Sequence, residues 1–85
     1  MKFSNVIVHL EEDLPEYMAG IMRIESFEFF SESGNRISSH DSGYEGISEL
    51  ENRLIDNAEY SSSEALISRV SKVLGVERDI IEIAD

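Results

Sequence analysis

The chain has 85 residues, of which 41% are hydrophobic and 29% are charged, and it contains no cysteine. Acidic side chains number 18 against 7 lysines and arginines, which gives a formal net charge of −11 at pH 7. This length predicts a single acidic domain over residues 1–85, with a core too modest for an enclosed active site. The lack of cysteine excludes disulfides, thiolate nucleophiles and zinc–sulfur sites, and it favours a reducing cytoplasmic location.

The charge also narrows the classes of partner. A strongly negative body repels nucleic acid and anionic membranes, so we expect no direct binding to either. No apolar run approaches the roughly 18 residues that a membrane span needs, and the first residues lack the apolar stretch of a signal peptide. The same field attracts cations, and a basic protein surface is the partner that it favours most.

Strand-like patterns occupy the first part of the chain. Residues 3–10 alternate between apolar and polar side chains, which is typical of a half-buried strand. Residues 11–16 predict a charged turn. Residues 21–30 predict a second strand, and its apolar pattern slips by one residue near Ser26. Such a slip indicates a β-bulge or a local twist.

Two further strands are predicted. Residues 31–35 indicate a turn, and residues 36–40 follow it as a returning strand. Only Ile37 is apolar in that strand, which favours an edge position. The last strand, residues 80–84, is apolar on both faces apart from Glu82, so we predict that it lies centrally in the sheet.

Two amphipathic helices are predicted between these strands. The first has an apolar stripe at helical spacing, formed by Ile47, Leu50, Leu54 and Ala58. Ser48 is predicted as its N-cap, with Glu51 completing a capping box. The second begins with a similar capping pattern over residues 61–64 and ends at Gly75. Its apolar face is formed by Leu66, Val70, Val73 and Leu74.

The element order β-β-β-α-α-β predicts an α+β fold. The simplest assembly is a small antiparallel or mixed sheet of about four strands, with both helices packed on one face. Each helix offers a single apolar stripe, which agrees with one covered sheet face. The other face is predicted to be wet and to carry His9, Arg23 and Glu25.

The sharpest functional signal is a row of polar side chains on the first predicted helix. At the spacing i, i+4, i+7, i+11 and i+14 these residues share one stripe: Glu45, Glu49, Asn52, Asp56 and Glu59. Like charges four residues apart, and anions near a helix C-terminus, both destabilise a helix. The row is either a solvated face of an acidic protein or a docking surface for lysines and arginines.

Two other groups are candidate partner-binding residues. Glu11, Glu12 and Asp13 either form a solubilising turn or extend the same negative surface. Phe27, Phe29 and Phe30 cannot all face one way along a strand. Core packing is the usual fate of such residues, and the alternative is that Phe29 anchors a partner interface.

Catalytic and metal-binding signals are weak. Residues 39–41 contain the residue types of a Ser–His–Asp triad, but neighbours in a strand point to opposite faces. His9 and His40 are too isolated to define a transition-metal site, and residues 40–45 lack EF-hand spacing. We therefore predict no enzyme, catalytic residue, metal site or cofactor, and a small enzyme or metal-binding domain remains the third alternative.

These observations favour a small acidic protein-binding inhibitor. Its carboxylates would occupy the basic groove of a nucleic-acid-processing protein, as a DNA mimic of the anti-CRISPR, anti-restriction or immunity type. The alternative is a non-enzymatic assembly or adaptor module that binds through a sheet edge and exposed aromatic residues. Either a monomer or a homodimer agrees with the sequence.

Overall fold

The computed structural model describes residues 2–12, 17, 20–38, 40–55 and 59–84. It has five strands, two α-helices and one short 3₁₀ helix. In chain order these are β1 (Asn5–Leu10), β2 (Met22–Phe30), β3 (Arg36–Ile37), α1 (Ile47–Ile55), β4 (Glu59–Tyr60), α2 (Ser63–Leu74), the 3₁₀ helix (Arg78–Ile80) and β5 (Ile81–Ala84).

The strands form one mixed sheet, with β3, β2, β1 and β5 side by side in that order. Strand β2 is antiparallel to both β1 and β3, and β5 is parallel to β1. The two-residue strand β4 adds to β2 away from this path, antiparallel to Met22 and Arg23. The predicted α+β fold class and element order are confirmed, and β4 is an addition that the sequence pattern did not predict.

The predicted bulge in the second strand is confirmed. The pairing of β1 with β2 passes from His9 opposite Ser26 to Leu10 opposite Ile24, so Glu25 is the extra residue. Because the bulge shifts the alternation by one position, Ile24 and Phe27 both face the core, with exposed fractions of 1% and 5%.

The prediction that the last strand lies centrally is wrong, because β5 is an edge strand that pairs with β1 alone in the described chain. Ile80 belongs to the preceding 3₁₀ helix, so it does not contribute a second apolar face to the strand. Within β5 the side chains alternate: Ile81 is buried, and Glu82 is exposed. The burial pattern of β5 is therefore that of a strand with only one face covered.

The third strand lies at the other edge, as predicted, but it is shorter than residues 36–40. The Ser38 N–H donates to Asp41 Oδ2 at 2.8 Å, and the Asp41 N–H donates to the Ser38 carbonyl at 3.1 Å. This turn directs the chain away from the sheet after Ile37. The preceding turn is confirmed, with Gly34 at φ +85° and its N–H bonded to the Ser31 carbonyl.

The ends of α2 follow the sequence closely. The Ala65 N–H donates to Ser62 Oγ at 3.1 Å, so Ser62 is the N-cap within the predicted capping segment. Gly75 ends the helix in the left-handed region at φ 69°, with its N–H bonded to the Ser71 carbonyl. The cap predicted for the first helix is wrong: α1 begins at Ile47, which places Ser48 inside it.

Both helices cover the same face of the sheet. Ile47 and Leu54 of α1, and Leu66 and Val70 of α2, are at most 1% exposed and belong to a single core cluster. The strand residues of that cluster are Val6, Val8, Ile24, Phe27, Phe29, Ile37 and Ile81. Within the described part of the chain, no helix is long and apolar enough to cross a membrane.

Candidate functional site: the open face of the sheet

Strand alternation divides the sheet into a covered face and a face without helices, which we call the open face. In β1, Val6 and Val8 are completely buried under the helices, whereas Asn5, Ile7 and His9 are half-buried on the opposite side. The pairing registers place the neighbours of these residues in β2 and β5 on the same side. The prediction that His9, Arg23 and Glu25 share a face away from the helices agrees with this alternation.

One end of the open face is a row centred on Arg23 of β2, with β4 on one side and the residue that follows β1 on the other. The Glu11 N–H donates to the Arg23 carbonyl at 2.8 Å, and Glu59 of β4 lies opposite Arg23 on its other side. The Arg23 guanidinium Nε is 3.9 Å from Glu11 Oε2. The structure thus brings together two predicted site residues, Glu11 and Glu59, that lie far apart in the sequence.

The middle of the open face has acidic side chains around a small apolar centre. Ile7 lies opposite Glu28 in β2 and opposite Glu82 in β5. Two strand spacings put the backbones of these glutamates about 10 Å apart. His9 Nε2 hydrogen-bonds to Glu28 Oε1 at 2.7 Å, and both side chains are about one-third exposed.

A polar groove lies beside the bulge. It has a volume of about 350 Å³, and Glu12, Glu25 and Glu28 contribute three carboxyl groups to its lining. His9 and Arg36 also border it. Glu25 is exposed because the bulge leaves it as the extra residue of β2, outside the regular pairing.

The open face therefore has an excess of negative charge. It has five carboxylates: the strand registers place Glu28, Glu59 and Glu82 there, Glu25 lies at the bulge beside the groove, and Glu11 contacts Arg23. Arg23 and Arg36 are its basic residues in the described chain, and the Arg23–Glu11 contact is long and partly exposed. Ion pairs of this kind are worth at most about 1 kcal/mol. The fold does not depend on these carboxylates for its stability.

The predicted carboxylate row on the first helix does not form. Helix α1 spans Ile47–Ile55, so Glu45 precedes it in a turn and Glu59 follows it in β4. Glu49 remains on the helix surface, 3.7 Å from Arg53. Asp56 lies outside the described residues. The pairing of β4 with β2 removes Glu59 from the helix and places it on the open face instead.

The acidic turn after β1 is described in part. Glu11 and Glu12 border the open face, the first through its contact with Arg23 and the second in the groove. Asp13 lies outside the described residues. The interpretation that this turn extends a negative surface is compatible with the placement of its first two glutamates.

Phe29 is not a surface anchor. It is 2% exposed, and its ring centroid lies 5.1 Å from that of Phe3 and 5.6 Å from that of Phe27. Of the three phenylalanines in β2, Phe30 lies on the open side, opposite Asn5, and is half-buried. The alternation that follows the bulge gives this result, since Phe27 and Phe29 share one side and Phe30 takes the other.

The residues considered above for catalysis or metal binding are not gathered into a catalytic or metal site in the described part of the chain. Asp41 accepts the hydrogen bond from Ser38 that ends β3, and Ser39 lies outside the described residues. Among the side chains that the structure describes, no group of three or more histidines and carboxylates could hold a metal ion. No protein-family model, curated protein or solved structure matches this chain.

Proposed function

We propose that this protein is a small, non-enzymatic inhibitor that docks its open face on a basic groove of a nucleic-acid-processing protein. The proposal covers DNA-mimic, anti-CRISPR, anti-restriction and immunity-type inhibitors, and it includes a cytoplasmic location. The observation that carries it is the gathering of five carboxylates, four from three different strands and one from the residue that follows β1, on the one sheet face that the helices leave uncovered.

Electrostatic complementarity supports this choice of partner. Proteins that bind nucleic acid do so largely through lysines and arginines that contact phosphates. A net charge of −11 steers the chain toward such surfaces, and it disfavours direct binding to DNA, RNA or anionic membranes. The lack of cysteine supports a reducing compartment.

Rigidity supports the same interpretation. Glu28, Glu59 and Glu82 project from paired strands, and the Glu11 N–H is bonded to the Arg23 carbonyl, so little backbone entropy is lost when these carboxylates meet a partner. Half-buried Ile7 and Phe30 lie on the same face and supply apolar contact area between the charges. An interface of this kind has an apolar centre and a charged surround.

Partner capture with matched charge-reversal variants tests the proposal. The tagged protein is incubated with host lysate, washed in a salt series, and challenged with a 30-base-pair DNA duplex. The open-face variant is Glu25→Lys/Glu59→Lys/Glu82→Lys. The control, Glu32→Lys/Glu77→Lys/Asp79→Lys, has the same net charge, and its three positions are exposed and away from the open face.

We expect the wild-type protein and the control to retain a basic nucleic-acid-binding protein, which DNA displaces and high salt releases. The open-face variant is expected to lose it. Equal loss in the two variants would mean that only total charge matters, and equal retention would remove the open face from the proposal. A third variant, Glu45→Lys/Glu49→Lys, tests the part of the predicted row that lies at and before the start of α1.

A second candidate is an assembly or adaptor module, and the outer edge of β5 favours it. In the described chain β5 pairs with β1 only, so its other side presents unpaired peptide groups to a further strand. Binding of this type survives high salt, because backbone hydrogen bonds and apolar contacts are weakly screened. Sedimentation over a range of concentrations distinguishes a homodimer from a monomer.

A further inference from the structure

The outer edge of β2, on the side away from β1, is paired only at its two ends. Strand β3 covers Phe29 and Phe30, and β4 covers Met22 and Arg23. Residues 24–28 lie between them and have no strand partner on this side in the part of the chain that the structure describes. The edge therefore contains a gap of roughly 17 Å, at about 3.3 Å per residue.

The two short strands are the ends of one interrupted edge strand. Both run antiparallel to β2, so they point in the same direction along its edge. The chain leaves this line at Ser38, whose N–H is bonded by the Asp41 carboxylate, and it returns at Glu59 after α1. A segment of about four residues, running in the same direction, would complete the strand.

Peptide groups of β2 are oriented toward this gap. Ser31 donates to the Asn35 carbonyl, which makes these two residues a hydrogen-bonded pair at the start of the β2–β3 ladder. Because such ladders alternate, the peptide groups of Phe29 and Phe27 point to this edge, and those of Glu28 point to β1. Phe29 pairs with Ile37 there, whereas Phe27 has no backbone partner on this side among the described residues.

The gap opens on a concavity of about 620 Å³ that has both apolar and ionisable lining residues. The apolar lining residues are Phe27, Phe29 and Ile37, and the ionisable ones are Arg36, His40 and Glu51 of α1. Burial raises the pKa of the Glu51 carboxyl, and nearby Arg36 opposes that shift. No basic group of the described chain lies within 4.0 Å of this carboxylate. Because Glu51 belongs to a helix on the covered face, the carboxylates that an occupant's basic side chains would meet are those on the open-face side of the gap, Glu25 and Glu28.

We propose that this gap binds an extended segment of the basic partner, which completes the edge strand through main-chain hydrogen bonds to Phe27. The inference rests on the proposed function and adds the mode of recognition. The residue opposite Phe27 faces the apolar lining residues, and its two neighbours project onto the open face beside Glu25 and Glu28. An alternation of apolar and basic residues matches these surroundings. A second copy of this chain does not, because it also carries a charge of −11.

Amide hydrogen exchange at Phe27 tests the proposal directly. The probe is an acetylated and amidated seven-residue peptide of alternating lysine and valine. In the free protein the Phe27 amide is expected to exchange faster than those of Glu28 and Phe29, which have strand partners. The probe is expected to slow exchange at Phe27 by about tenfold or more. The same peptide with N-methyl groups on alternate residues is expected to have no effect.

Several results would overturn the proposal. A Phe27 amide that is already protected in the free monomer would show that the edge is closed. Binding of the lysine–valine peptide without protection of Phe27, or no binding, would remove the gap as its site. Equal protection by a glutamate–valine peptide would contradict a basic occupant. Protection that grows with protein concentration alone, together with a dimer in sedimentation, would identify a second copy as the occupant.

Charge reversal on the open-face side of the gap gives a second, independent measurement. Glu25→Lys is expected to weaken binding of the lysine–valine peptide by about tenfold. Glu77→Lys, which changes the net charge equally at an exposed position outside the gap, is expected to change it less than about twofold. Equal weakening by the two would contradict the assignment of Glu25 to the binding site.

The two proposals fail separately. If the open-face variant loses the captured partner while the peptide leaves Phe27 unprotected, the docking surface stands and the strand completion is wrong. If the peptide protects Phe27 but the open-face variant still captures the partner, the gap binds extended basic segments and the open-face function is wrong.

Discussion

The two faces of the sheet differ sharply although the same strands build both. In β1, Val6 and Val8 are completely buried, and the residues between and beside them, Ile7 and His9, are half-buried among carboxylates. The helices cover only the first set. The fold therefore depends on the covered face, while the open face can hold mutually repelling charges at little cost to packing.

The largest expected loss of stability comes from truncating a side chain in the core of the covered face. Leu66 is 0% exposed, so Leu66→Ala is expected to lower the free energy of unfolding by about 2–5 kcal/mol, through lost burial and a residual cavity. Ile67→Ala, at the next and half-buried position, is the matched control and should cost less than half as much. Urea denaturation measures both. Equal losses would contradict the orientation of α2 over the sheet.

A smaller effect is expected where α2 ends. Gly75 has φ 69°, and a Cβ there would meet nothing within 4 Å, so the cost of Gly75→Ala is purely conformational. We expect a loss of about 1–2 kcal/mol. Gly75→Asn should lose less, because asparagine tolerates the left-handed region. Thermal or urea unfolding of both variants is the measurement, and the reverse order would contradict the left-handed C-cap.

The N-cap of the same helix gives a comparable test. Ser62→Ala removes the oxygen that accepts the Ala65 N–H, and we expect a loss of about 1 kcal/mol. Ser63→Ala is the control, because that serine lies inside the first turn of the helix. Its effect in urea unfolding should stay below about 0.5 kcal/mol. A larger loss of stability in Ser63→Ala than in Ser62→Ala would indicate that Ser63, and not Ser62, is the N-cap.

On the open face, we expect the free energy of unfolding to depend more on salt concentration than on substitution of the carboxylates. Glu25→Lys/Glu59→Lys/Glu82→Lys is expected to change the free energy of unfolding by less than about 1 kcal/mol, because these side chains are exposed. Salt should stabilise the wild type by screening its repulsion, and the variant should respond less. If the control triple at positions 32, 77 and 79 loses its salt response equally, charge crowding is not specific to the open face.

The smallest effect concerns pH. Burial raises the pKa of the Glu51 carboxyl above its ordinary value of 4.5. The folded state then binds this proton more tightly than the unfolded state, so its stabilising contribution is present at low pH and lost as pH rises through the raised pKa. Glu51→Gln is expected to match the wild type below pH 4.5 and to be more stable at pH 7. Urea midpoints across this range measure the difference, and a constant offset would contradict the shift.

Local patterns in the sequence predicted much of the fold. The one-residue slip near Ser26 predicted the bulge, and serine and glycine predicted both ends of α2. These features depend on neighbours in the chain. Strand β4 could not be predicted in this way, because two residues such as Glu59–Tyr60 form a strand only when a distant partner, Met22–Arg23, lies beside them.

The candidate site was predictable in its chemistry but not in its location. Composition indicated a negative docking surface, and helical spacing placed it on the first helix. The strand registers instead bring Glu11 and Glu59 to either side of Arg23, and Glu28 and Glu82 to either side of Ile7. Register is a property of paired strands, so no single stretch of sequence contains it.

The parallel pairing of β1 with β5 has a consequence for how the molecule folds. Val6 lies beside Ile81, so this pair closes a loop that contains nearly the whole chain. The β1–β2 pair can form early from nearby residues, but the side of β1 that β5 will cover stays unprotected until residues 81–84 have been synthesised. Closing so long a loop is slow. We therefore expect docking of β5 to be the last step of folding, and the nascent chain to be most prone to aggregation just before it.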